Sequence, residues 1–91
     1  MAYMKSKKDY QFTYTSGTAG SIALGGQGSE LYLVAKGTGC YWDLGVAASA
    51  CTAGTATYLP NDAPILIPVQ APTLISALGT GSGTLFIVEF I

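Results

Sequence analysis

Glu30 to Ala47 (ELYLVAKGTGCYWDLGVA) is the stretch that decides the fold. Its first seven residues alternate, with Leu31, Leu33 and Ala35 to one side and Tyr32 and Val34 to the other, which is the period of a strand that buries one face. Gly37-Thr38-Gly39 turns the chain, and Cys40, Trp42, Leu44 and Val46 then alternate against Tyr41, Asp43 and Gly45. The two runs are predicted to pair as a hairpin across a glycine-rich loop, with one face inward.

The same punctuation extends in both directions. Upstream, Gln11 to Thr15 (QFTYT) sets Phe12 and Tyr14 on one side, and Ser21 to Leu24 is a short run closed by Gly25-Gly26-Gln27-Gly28. Downstream, Ala48 to Gly54 is low in bulk and fits a loop, a short strand or one helical turn, and Thr55 to Leu59 reads as a strand. Pro60-Asn61-Asp62 is turn chemistry. Ile65 to Val69 (ILIPV) is predicted at a sheet edge, since Pro68 cannot donate to a ladder. Thr73 to Leu78 follows, and after a Gly/Ser/Thr turn Thr84 to Ile91 (TLFIVEFI) sets Leu85, Ile87, Glu89 and Ile91 against Phe86, Val88 and Phe90. Both faces of that last run are apolar, which places it centrally. No dozen residues repeat apolar side chains at helical spacing. The fold class expected is all-β, an antiparallel β-sandwich or small jelly roll of seven to eight short strands in a single domain, residues 10–91, preceded by a basic arm, residues 1–9.

Charge sharpens this picture. Only 10% of the 91 residues are charged while 49% are apolar, against roughly 25% charged in an ordinary domain. The apolar share excludes disorder, and Gly, Pro, Asp or Lys interrupts each apolar run before the ~20 residues of a membrane helix. Lys5, Lys7 and Lys8 make the first eight residues basic, whereas the rest holds one lysine against five acids. Three lysines without arginine, glycine or interleaved base-stacking repeats fall short of a nucleic-acid signature, so no specific nucleic acid is expected. No secretory leader is visible at the start, which sets the expected compartment as the cytoplasm. Cys40 and Cys51 are then expected as two buried thiols rather than a disulfide or zinc site.

Chemistry finds little purchase. There is no histidine to activate a serine or cysteine, and nothing in the spacing of Asp9, Glu30, Asp43, Asp62 and Glu89 converges two carboxylates, so no enzyme and no cofactor is expected. GGQGS and GTGSGT lack the Lys-Ser/Thr of a phosphate loop. Tyr41, Trp42 and Asp43 have the composition of a sugar contact, rings to stack and a carboxylate for hydroxyls, although Trp42 fits the core better than a sugar site. A sandwich leaves Tyr32, Val34, Tyr41, Ile65 and one side of the last strand facing water with few charges to guard them, which predicts a homo-oligomer or a larger assembly. The candidate interface residues are Lys5, Lys7, Lys8, Tyr10, Tyr32, Val34, Tyr41 and Glu89, the last expected to meet Lys36 or an arm lysine.

The runs ELYLVAKGTGCYWDLG and PNDAPILIPVQAPTLISALGTGSGTLFIVEF resemble a pattern common in small structural proteins of tailed bacteriophages, over about residues 22 to 90. The order is a hydrophobic strand, a polar turn, an aromatic strand ending in Leu-Gly, a proline-bounded stretch, a further strand, and a Gly/Ser/Thr turn before the last one. The resemblance implies a capsid decoration (cement) protein in the virion, assembled in the host cytoplasm. Its partners would be copies of itself, a trimer above all, and the major capsid protein or other virion proteins. A tail or head-fibre component, or an exterior glycan-binding module, is the alternative.

Overall fold

In a computed structural model the described residues are 7–91. Among them eight strands follow in chain order: β1 Lys7–Tyr14, β2 Gly20–Ala23, β3 Glu30–Lys36, β4 Cys40–Leu44, β5 Thr57–Leu59, β6 Ile65–Pro68, β7 Leu74–Gly79 and β8 Gly83–Phe90, with one 3-10 turn at Ala48–Ala50. They form two antiparallel four-stranded sheets, ordered β1-β8-β3-β6 and β2-β7-β4-β5. Strand 1 pairs with 8, 2 with 7, 3 with 6 and 4 with 5. This nested pairing is a long two-stranded ribbon folded over on itself, the topology of a jelly roll.

Two sequence expectations change here. Lys7 to Asp9 belong to β1, paired with Phe90, Glu89 and Val88, so the strand begins inside the span expected to be an arm; Lys5 lies outside the described residues. The hairpin expected between β3 and β4 does not form. In a nested ribbon these neighbours lie in different sheets, and Gly37-Thr38-Gly39 carries the chain from one sheet to the other. Gly37 makes the crossing possible: its φ is +98°, and an added Cβ would sit 3.0 Å from the Ser82 carbonyl oxygen. Tyr14, only 2% exposed, pins the crossover by donating its hydroxyl to the Thr38 carbonyl at 2.7 Å.

The core fills from the inner faces, with Leu31, Leu33, Ala35, Cys40, Leu59, Ile75, Ala77, Leu85 and Ile87 buried, and Phe12, Trp42, Leu44, Ile65 and Ile67 packed against them. Register settles the ambiguous run Ile65-Leu66-Ile67. Ile67 and Ile65 pair with inward Leu31 and Leu33, so Ile65 faces the core rather than water, and Leu66, opposite Tyr32, faces out. β8 is central and β6 is an edge, as the apolar faces and Pro68 require.

Candidate functional site

The two outer faces of the sandwich are finished differently. On the β2-β7-β4-β5 sheet, Ser76 alternates outward, opposite Asp43, yet it is fully buried. The excursion after β4 provides the cover. The 3-10 turn contacts β7, and buried Cys51 directs its Sγ at the Tyr41 carbonyl, 3.5 Å away. The 3-10 turn and Cys51 thus cover part of this face, over β7 and β4, while Tyr58 on edge strand β5 stays 49% exposed.

The β1-β8-β3-β6 sheet has no such cover among the described residues. Three side-chain rows cross its outer face: Lys7, Phe90, Glu30 and Pro68; Asp9, Val88, Tyr32 and Leu66; Gln11, Phe86 and Val34. Thr13, Thr84 and Lys36 close the end. Tyr32 and Phe86 are each 37% exposed and Leu66 57%, while Val34, Val88 and Phe90 are half-buried. The apolar groups occupy the middle of β8, β3 and β6, and polar groups are confined to β1 and the strand ends. A shallow groove of about 480 Å³ runs along the β1 side, lined by Lys7, Asp9, Gln11, Phe86 and Val88 among others. Lys36, at the rim, pairs with Asp62 and not with Glu89.

The residues expected at an interface therefore separate. Lys7, Tyr32 and Val34 share this face. Lys8 falls on the inward alternation but lies exposed at the sheet end, opposite Glu89. Tyr41 belongs to the other sheet, where its ring meets Tyr58 at a centroid separation of 5.2 Å and a tilt of 54°. Glu89 and Tyr10 are corrections: both face inward. Glu89 is 0% exposed, and its Oε1 accepts the Tyr10 hydroxyl and the Gly25 N–H, each at 3.1 Å. A carboxylate within a central strand was expected to need an interface partner; Tyr10 and the Gly25–Gly28 loop supply one inside the fold instead. Burial, with Glu89 next to it, raises the Tyr10 pKa. The Glu89 Oε2 has no protein partner among the described residues.

Tyr41, Trp42 and Asp43 do not converge either. Adjacent strand residues point to opposite faces, so Trp42, level with buried Ala77, packs against the core while Tyr41 and Asp43 point outward. Sequence reading missed Leu66 and Tyr58, the most exposed large apolar side chains of the two outer faces within strands. Pairing alone reveals them, Leu66 through Tyr32 and Tyr58 through Tyr41. Cys40 and Cys51 are free and buried as expected, and burial pushes the Cys40 thiol up to about 11. Among the described residues no cluster of three His, Cys, Asp or Glu side chains is placed to hold a metal.

No family model matches the chain, and no curated protein does. Among solved structures, the chain is similar to a de novo designed double-stranded beta-helix whose structure was solved by solution NMR. The TM-score is 0.54 at 15% identity, over 92% of this chain and 99% of that one. At that identity the likeness shows the fold alone: an all-β, double-stranded ribbon wound into two facing sheets, in agreement with the nested pairing.

Proposed function

We propose that this protein is a non-enzymatic structural component of a tailed-bacteriophage virion, which decorates and stabilises the capsid through contacts repeated by symmetry. The observation that carries the reading is the outer face of the β1-β8-β3-β6 sheet, which no other segment of the described residues covers. An apolar centre with a polar rim is how protein interfaces are built, whereas the faces of monomers are normally broken up by charge. The sequence pattern over residues 22 to 90 is the reason to place that interface on a phage particle. Affinity in such a role comes from many weak contacts acting together. Copies of the chain and the major capsid protein are the partners.

The test is direct. Purified particles of the phage that carries this chain, washed and imaged, should show it at regular lattice positions, and removing it should lower the temperature at which the shells release DNA. Particles that lack the chain, or hold it only in traces removed by washing, would refute the role.

A further inference from the structure

We infer that the outer face of the β1-β8-β3-β6 sheet binds the same face of a second copy, about a two-fold axis running across the strands between the Val88–Tyr32 and Phe86–Val34 rows. The inference deepens the proposed function by naming the partner of the apolar face, and takes from that reading only that the protein assembles.

The choice of partner rests on how the rows match. A face brought onto its own copy by a two-fold across the strands meets itself with row order reversed and strand order kept. Tyr32 then lies over Val34 of the second copy, and Val88 over its Phe86, so these four apolar groups of β8 and β3 cover one another, while Leu66 lies at the margin. At the rim, Glu30 lies over Lys36, Asp9 over Gln11 and Lys7 over Thr13. Each charge meets an opposite charge or a neutral polar group. Lys36 is already held at this corner by Asp62, so it is positioned before the copies meet. The other two-fold in the plane, along the strands between β8 and β3, fails this test. It would set Lys7 over Pro68 and Asp9 over Leu66, charges on apolar groups, and Phe90 over Glu30. Because stacked sheets are rotated by roughly 30°, the row match is closest at the axis and loosens towards the rim.

Area sets the strength. The four strands hold 8, 8, 7 and 4 residues. At ~3.4 Å per residue and ~4.8 Å between strands they cover on the order of 400 Å² in plane. Two such corrugated faces bury about 1,000 Å², at the low end for specific association, so the dimer should form and dissociate over attainable concentrations. A contact of this kind closes with two copies, which departs from the trimer implied by the phage resemblance.

The experiment is sedimentation velocity on the full chain from about 1 μM to 1 mM, a range that brackets a low-end interface. Wild type should pass from monomer to dimer. Phe86→Lys places a charge at a position that the row match sets over Val88 of the second copy, and should remain monomeric across the range, with the far-UV spectrum and melting temperature of wild type at concentrations where wild type is monomeric. Glu30→Lys should weaken the dimer several-fold, and adding Lys36→Glu together with Asp62→Asn, which avoids two carboxylates side by side at that corner, should restore it, a rescue that general stickiness would not give. Wild type that stays monomeric to 1 mM overturns the inference, as does a dimer or trimer indifferent to Phe86→Lys. Binding to phage particles, followed in parallel, separates the two readings. A chain that dimerises as stated but ignores particles supports the two-fold and refutes the virion role; one that binds particles without dimerising does the reverse.

Discussion

Gly28→Ala should damage this chain, although φ there lies outside the left-handed region that disfavours a side chain. A Cβ at Gly28 would lie 2.6 Å from Glu89 Cγ, 2.7 Å from Oε2 and 3.1 Å from Cδ. Neither side has room to yield. Glu89 is fully buried, with Oε1 held by Tyr10 and Gly25. The loop is tied on three sides, by Gly26 N–H to the Pro72 carbonyl at 3.0 Å, Ala71 N–H to the Gly28 carbonyl at 3.0 Å, and Ser29 N–H to the Phe90 carbonyl at 2.8 Å. Overpacking a rigid site costs about 1–3 kcal/mol. If Glu89 turns aside instead, a hydrogen bond to a carboxylate is lost at about 1.5–3 kcal/mol. The reduced entropy of the unfolded chain gives back ~0.4–1 kcal/mol, which is too little to reverse the sign.

The net expectation is a loss of about 2 kcal/mol, out of the ~5–14 kcal/mol that a chain of this length has in all. Urea denaturation followed by circular dichroism measures it, and melting should fall by roughly 8–16 °C. The decisive comparison is a double-mutant cycle with Glu89→Ala. That substitution costs stability alone, but it removes the atoms the new methyl strikes, so the pair should cost at least ~1 kcal/mol less than the sum of the singles. Gly28→Ala within ~0.5 kcal/mol of wild type, or strict additivity with Glu89→Ala, would refute the view that the glycine loop is shaped around the carboxylate.

Three further outcomes follow from buried groups. Tyr14 and Cys40 have folded-state pKa values raised by burial, to about 12 from 10.0 and to about 11 from 9.0. Raised acids hold their protons longer when folded, so this contribution is complete below pH 9 and is lost as pH climbs from 9 to 12; denaturation midpoints should fall across that window, and Cys40→Ala should remove the part between 9 and 11. Tyr14→Phe keeps the ring but leaves the Thr38 carbonyl without its donor, which should cost ~1–2 kcal/mol in urea denaturation, with no loss of secondary structure by circular dichroism. Trp42, packed on the core with Nε1 shielded, should emit at short wavelength and resist iodide quenching in the native state; ready quenching would return it to the outer surface and revive a sugar contact at that strand.

How far the sequence could be read depended on whether a feature was local. Strand β3 and the faces of β8 show directly in alternation, because a half-buried strand must repeat every second residue; Pro68 marks an edge because it lacks a donor. Ile65-Leu66-Ile67 carries no alternation at all, and its outward member emerges only from the pairing of Ile67 with Leu31. Sheet membership is less legible still. Pairs such as Lys7 with Phe90 span nearly the whole chain, and a glycine turn looks the same from sequence whether it closes a hairpin or carries the chain between sheets. The difference at residues 37–39 lies in the Gly37 approach to Ser82 and the Tyr14 bond to Thr38, both contacts with distant segments. Glu89 was legible as odd but not as satisfied, since its partners Tyr10 and Gly25 are 79 and 64 residues away.

Placing Glu89 inside alters the charge argument that pointed to assembly. The chain has few ionised groups to begin with, and one of them is spent in the interior, so the surface is poorer in charge than composition states. Those that remain are unevenly placed. Lys7, Lys8 and Asp9 gather at the head of β1, Lys36 and Asp62 at one end of β3, and Glu30 at the other. Among the described residues the middle of the β8-β3-β6 surface receives none. On the opposite sheet the 3-10 turn at Ala48–Ala50 lies against β7, where outward Ser76 is buried, and Cys51 lies against the Tyr41 carbonyl. Among the described residues the first sheet carries a partial cover, the 3-10 turn and Cys51, and the second carries none, so the apolar middle of the second is the surface that an external partner would cover.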